Sequence, residues 1–304
     1  MLAIIIPFYK LSFFKATLQS LANQTNQRFN VYIGNDASPE NPKPLVEKFD
    51  KQLNLRYIEF KNNLGKTSLT KQWERCIDLV EDEEWLMVLG DDDCLGEKVV
   101  EEFYKAHTEF KSKTNLFRFA TQMIDQSGTA QSKVYEHPTW EKASRAFYRK
   151  HEGKTRSSLS EYVFKKEEYL KYKFTNYPLG WHSDDKAWID FSEELPIHTI
   201  NNAHVFIRLS KESISGKNDN LDLKRQAASR FYEYLVKEIR DEFTEDQQAE
   251  IVKSYFERTV MLRNFSFNEW TFLWQFYLKN SSHLSFKKFL KISIKSIFKN
   301  KKNY

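Results

Sequence analysis

Short apolar runs and helix-spaced apolar stripes alternate along the first part of this chain. Leu2-Ala3-Ile4-Ile5-Ile6 is unbroken and ends at Pro7, as in a strand buried on both faces. After Ser12, Phe14, Leu18 and Leu21 recur at i, i+4 and i+7, one face of a helix. Phe29, Val31 and Ile33 alternate through a second strand that stops at Gly34-Asn35-Asp36, and a turn-rich loop runs on to Pro42. Residues 55–60 predict a third strand and Asn62-Asn63-Leu64-Gly65 a turn. Leu69, Trp73, Cys76, Ile77 and Val80 then form the buried stripe of another helix. A fourth strand at 85–89, a helix from Glu97 with Val99, Val100 and Phe103 inward, and a fifth strand at 115–124 continue the alternation. This order predicts an α/β fold: a mostly parallel central sheet with helices on both faces.

Later residues are less regular. Residues 140–150 predict a helix, 160–164 a strand, 166–172 a short helix, and 205–208 a last strand. Between them a loop, Asn176 to Asp185, leads into a helix at Lys186-Ala187-Trp188. From Asn220 the pattern becomes helical, over 221–240 and 247–279, with aromatic stripes that suit helix packing. The expected organisation is one α/β domain over residues 1–215 and a helical C-terminal region over 216–304. Residues 286–302 are amphipathic: Phe286, Phe289, Leu290, Ile294 and Ile297 share one side, and Lys288, Lys291, Lys295 and Lys299 the other. Such a helix suits peripheral contact with an anionic membrane, or packing on the domain.

Charge sharpens this division. Of 47 Lys and Arg, eight lysines lie beyond Glu269, the last acid, so the first 269 residues carry 39 basic against 42 acidic side chains. A body with that balance is no general nucleic-acid binder. With 40% hydrophobic and 29% charged residues, the 304-residue chain has a globular composition. Cys76 and Cys94 form no CxxC pair, so neither a zinc ribbon nor a disulfide framework is expected. With no charged leader and no apolar stretch of spanning length, the expected location is cytoplasmic, at most touching the inner face of the membrane.

The candidate chemistry gathers where the fourth strand ends, at Gly90-Asp91-Asp92-Asp93. Ligands bind beyond the carboxyl ends of strands in open α/β sheets. Three acids there repel one another unless a cation sits among them, and an oxygen-rich cluster suits Mg2+ or Mn2+ completed by substrate phosphates. A solvated acidic turn has the same composition, so the triplet alone does not decide. Asp184 and Asp185 stand at a helix start, where the macrodipole alone favours acids.

The ordered set is more specific than its parts. Pro7-Phe8-Tyr9, Asp36-Ala37-Ser38, Asn63-Leu64-Gly65-Lys66, Gly90-Asp91-Asp92-Asp93, Ser183-Asp184-Asp185, and Arg208 with Ser210, Ser213 and Ser215 follow one another as in glycosyltransferase family 2. Over residues 1–215 the chain resembles that family of inverting enzymes, which have the GT-A fold, a Rossmann-like mostly parallel sheet. The resemblance implies a nucleotide-binding role for Pro7, Phe8, Tyr9, Asp36, Lys66 and Asp91. Asp36 would accept a base N–H, which suits uracil, and Asp91 would hold the ribose. Asp92 or Asp93 would ligate Mn2+ or Mg2+, Arg208 and Ser213 would lie near the diphosphate on a flexible loop, and Asp185 would be the general base beside Asp184. The implied function is metal-assisted transfer of a sugar from a nucleotide-diphosphate sugar, with UDP the expected nucleotide, to a glycan or lipid-linked hydroxyl in cell-surface polysaccharide assembly. Ser210 stands where family members often carry a histidine, sometimes a metal ligand. That departure leaves open a non-catalytic nucleotide-sugar-binding or scaffolding protein on the same fold. A haloacid-dehalogenase-type phosphatase is disfavoured, because that class carries its DxD on the first strand, as nucleophile, whereas three strands precede the acid triplet here.

Overall fold

The computed structural model describes residues 1–210, 220–280 and 285–300, the last six by backbone alone. Cα packing divides the chain into two compact units, Met1–Asn218 and Asp219–Tyr304.

In chain order the first unit comprises β1 (Leu2–Phe8), α1 (Phe14–Ala22), β2 (Phe29–Asn35), α2 (Lys43–Phe49), β3 (Leu55–Glu59), α3 (Leu69–Ile77), β4 (Trp85–Val88), β5 (Cys94–Leu95) and α4 (Val99–Phe110). It continues with β6 (Leu116–Ile124), β7 (Trp140–Glu141), α5 (Ala143–His151), β8 (Tyr162–Lys165), α6 (Lys166–Tyr172), α7 (Ser183–Ser192) and β9 (Ile197–Arg208). The sheet order is β3-β2-β1-β4-β8-β6-β9-β5, with β7 on β9. β3, β2, β1 and β4 are mutually parallel, and β6 pairs parallel with β9. β8 is inserted antiparallel between β4 and β6. The carboxyl ends of β1, β2, β4, β6 and β9 and the start of β8 therefore share one edge of the sheet.

Both faces are covered, as the unbroken apolar runs require. Ile4, Ile5 and Ile6 are all fully buried, each contributing about 1.5–3 kcal/mol. On one face Ile4, Ile6 and Phe8 join Phe14 and Leu18 of α1 and Val100 and Phe103 of α4. On the other, α3 approaches so closely that any side chain at Gly34 would collide with Cys76.

Several elements differ from the sequence pattern for identifiable reasons. Trp140 and Glu141 are strand, not helix, and pair with β9, because Glu141 is drawn into a buried ion pair with Arg118 at 3.0 Å. β9 is longer than residues 205–208 because the ladder with β6 continues across an irregularity after Phe119. α2 and the two-residue β5 have no clear apolar periodicity to announce them.

The second unit holds α8 (Leu221–Lys237), α9 (Glu245–Thr259), α10 (Phe267–Lys279) and α11 (Phe286–Asn300). The helical stretch over 247–279 is divided between α9 and α10, because Ser266 and Glu269 form a capping box that starts α10. Part of the tail's apolar side is packed on the helices before it, while Ile294 on that side is 45% exposed. Phe289 is buried, stacked on Tyr277 at 4.2 Å and 4.8 Å from Phe256. Among the described residues no helix is long and apolar enough to cross a membrane.

Candidate active site

Asp36 closes β2 and is almost wholly buried. Its carboxylate accepts the Leu64 and Gly65 backbone N–H groups at 2.6 and 2.8 Å and pairs with Arg75. Burial still pushes its pKa up against these partners. Gly65 must be glycine, since a Cβ there would meet Asp36 Oδ2 at 2.5 Å. Arg75 also donates to the Asn62 side chain and carbonyl and lies over the Phe60 ring, 4.0 Å from its centroid. The turn that sequence places after the third strand is thus tied to Asp36 and α3. Lys66 is exposed beside it. Phe8 is fully buried against Phe14, with ring centroids 4.6 Å apart, so its ring serves the core and not a base pocket. Pro7 pairs with Gly34 within the sheet, while Tyr9 is exposed at the mouth of β1.

Asp91 caps the end of β1: its Oδ2 accepts the Tyr9 and Lys10 backbone N–H groups at 2.7 and 2.8 Å. Burial and the neighbouring Asp92 charge push its pKa up to about 6. Asp93 accepts the Ser160 hydroxyl at 2.6 Å and the Arg208 backbone N–H at 2.9 Å. Its pKa is pushed up to about 7, chiefly by burial, with the Asp92 charge adding to it. A Cβ on Gly90 would lie 3.0 Å from Asp93 Oδ2 and 3.1 Å from Asp92 Oδ1. The two carboxylates therefore face the same small space, which only glycine leaves open.

That space fits a hard divalent cation: its donors are carboxylate oxygens, and their mutual repulsion is what a cation would relieve. Among the described residues no group of three or more His, Cys, Asp or Glu side chains is arranged to hold a metal. An ion at Asp92 and Asp93 would draw its remaining oxygens from a ligand or water.

Arg208 does not stand on a loop. It ends β9 and is 5% exposed. Its Nε donates to the Asp92 carbonyl at 2.9 Å and its Nη1 to the Asp125 and Gln126 carbonyls at 2.6 and 3.2 Å. The guanidinium thus staples the acid turn to the β6 end from the end of a strand, a correction to the flexible loop expected there. Arg208→Ala should cost about 3 kcal/mol by stranding these buried carbonyls, measured as a lower urea midpoint with unchanged slope. Ser210 is buried, and Ser213 lies outside the described residues. A cavity of about 560 Å³ lined by Phe13, Lys15, Cys94, Phe206 and Arg208 adjoins this staple.

Asp184 and Asp185 open α7. Lys150 Nζ donates to both Asp185 oxygens, at 2.7 and 2.9 Å, and His182 Nδ1 lies 2.7 Å from Oδ2. Burial works to raise the Asp185 pKa, but the Lys150 ammonium and His182 outweigh it and hold the carboxyl well below the usual carboxylate range. For Asp184 burial and the Asp185 charge win, and its pKa rises to about 7. α7 is anchored by Trp188, stacked on Tyr162 at 4.2 Å.

Ser160 and Glu161 connect the two acid groups. Ser160 holds both Asp93 and the Gly90 N–H, the latter at 3.1 Å. Glu161, the next residue, adds its charge to those raising Asp184. Both groups thus flank the start of β8 at the edge where the strand ends gather. Arg75, Lys150, Ser160 and His182 escape sequence reasoning. Lys150 sits with Arg149 and His151 in the last turn of α5, where basic residues suit any helix end.

The profile of glycosyl transferase family 2 matches residues 3–160. No curated protein matches the sequence. S. aureus TarS 1–349 in complex with UDP-GlcNAc superposes with a TM-score of 0.67 at 14% identity, over 87% of this chain and 76% of that one. The same protein in complex with UDP gives 0.60 at 16% identity, over 87% and 75%. A further crystal structure of S. aureus TarS 1–349 gives 0.63 at 14% identity, over 90% and 77%. At these identities the similarity is one of fold.

Proposed function

Because the chain belongs to glycosyl transferase family 2, whose profile covers more than half of it, we propose that it transfers a sugar, with inversion, from a UDP-sugar to a hydroxyl of a glycan or lipid-linked acceptor. The observation that carries this reading is the space over Gly90 faced by Asp92 and Asp93, on the same sheet edge as Asp36 and the start of β8. The UDP and UDP-GlcNAc complexes of the structurally similar TarS support the choice of donor.

Each residue then has a task. Asp36 offers the base an acceptor: three donors use three of its four lone-pair positions, leaving one on Oδ2. Asp92 and Asp93 would hold a divalent ion, Mn2+ or Mg2+, which when bound offsets charge building on the leaving diphosphate. Asp185 takes the acceptor proton. Three donors from Lys150 and His182 leave one lone pair on its Oδ1. The acceptor oxygen forms the new bond to the anomeric carbon and gives its proton to Asp185. The carbon–oxygen bond to the diphosphate breaks, and UDP leaves with the electron pair. Attack opposite the leaving group inverts the centre. Held ionised by Lys150, Asp185 is ready at any physiological pH.

The test uses the full chain, Mn2+ or Mg2+, and a panel of nucleotide sugars that includes UDP-GlcNAc. Metal-dependent release of UDP, with binding of UDP over other nucleotides in calorimetry, is expected. Absence of UDP binding would overturn the reading, whereas binding without turnover on any acceptor would favour a scaffold.

A further inference from the structure

We propose that the second unit docks on an anionic lipid bilayer through the exposed stripe of α10 and the lysine side of α11. This surface is independent of the transferase reading. Phe267, Thr271, Trp274 and Leu278 recur at i, i+4, i+7 and i+11, so they lie along one line of α10. They flank the buried side of Leu273 and Tyr277, about a third of a turn away from it. Phe267 is 84% exposed, Leu278 56% and Trp274 38%, and Met261 just before the helix is 66% exposed. Single exposed apolar residues need no explanation, but an aromatic and aliphatic line of this kind marks a contact surface.

Charge selects the occupant. Phe286 packs on Trp274 at 5.2 Å, which sets the first turn of α11 beside the stripe. With Phe289 and Ser293 turned inward, Lys287, Lys291 and the half-exposed Ile294 face outward. The sequence holds no acid beyond Glu269 and eight lysines. Apolar and aromatic side chains flanked by lysines match the interface of a bilayer with anionic headgroups. A second copy of the chain on the same face would set two lysine-rich helices against each other, which like-charge repulsion opposes.

Sedimentation of the full chain with phosphatidylcholine vesicles, with and without phosphatidylglycerol, tests this. Two variants are compared, Phe267→Ser with Leu278→Ser, and Lys287→Glu with Lys291→Glu; all four positions are exposed, so melting curves should match the wild type. Binding is expected only with phosphatidylglycerol, falling with added salt and by at least ~10-fold in either variant. Absence of binding to phosphatidylglycerol vesicles, or binding by either variant as tight as that of the wild type, overturns the proposal. So does lipid-free dimerisation that Phe267→Ser with Leu278→Ser abolishes, which would assign the face to a second copy.

Discussion

Asp185→Asn is expected to lower kcat by at least ~10³-fold while leaving UDP affinity within about threefold of wild type. Asparagine keeps the shape of the side chain but cannot take a proton at the acceptor. It also strips Lys150 of the carboxylate that receives two of its hydrogen bonds, a cost to the fold of about 3 kcal/mol. The kinetic comparison is therefore made well below the variant's own melting temperature. The neighbouring acid provides the control. Burial and the Asp185 charge raise Asp184 to about 7, so between pH 4 and pH 7 the native state binds a proton that the unfolded chain releases. Stability linked to that proton is fully present below the unfolded pKa and is lost as pH rises through 7. Asp184→Asn removes the repulsion, and at pH 8 the variant should be more stable than wild type by about 2 kcal/mol, with the difference vanishing near pH 4. Denaturant titrations at the two pH values check this. Its kcat should fall far less than that of Asp185→Asn. A reversed ranking, with an acid limb near pH 7 in the wild-type rate, would move the proton acceptor to Asp184.

What could be read ahead of the structure follows from how locally each feature is encoded. Strand β1 is a run of fully buried isoleucines, and nothing but a covered sheet interior accommodates such a run. A strand that stops at a glycine and three acids sets those acids at the sheet edge, whatever surrounds them. Partners are another matter. Lys150 reaches Asp185 across 35 positions and Arg75 reaches Asp36 across 39. No periodicity singles out either cation from its neighbours. Arg208 shows the converse: its place at the end of a strand was legible, but the three carbonyls that claim its guanidinium come from segments 82–116 positions away. The antiparallel return of β8 likewise depends on which edge the chain meets after the long excursion from Ile124, and that is settled by packing. In the tail, helix amphipathicity was plain, but the same apolar stripe serves a lipid surface or a protein core. The aromatic partners Phe256 and Tyr277 commit Phe289 to the core.

Asp93→Asn should remove the metal response altogether. In the wild-type chain, Mn2+ with UDP is expected to raise the melting temperature, because the ion offsets the burial of charge and the Asp92 repulsion that together hold Asp93 near pKa 7 and Asp91 near 6. The asparagine carbonyl can still accept the Arg208 N–H, and its amide can donate to the Ser160 hydroxyl, so the turn keeps its shape. Without metal the variant should be as stable as wild type or more so by about 1 kcal/mol, since one of three adjacent charges is gone. With Mn2+ and UDP its melting temperature should not move, and turnover should fall by at least ~10³-fold. Gly90→Ala separates charge from space. It keeps all three acids, but its methyl would stand 3.0–3.1 Å from one oxygen of Asp92 and one of Asp93, so both must give way. A weakened metal response in Gly90→Ala together with none in Asp93→Asn places the ion over residue 90. A full metal-induced shift in Asp93→Asn would mean that the cation binds elsewhere and that the acid turn is structural.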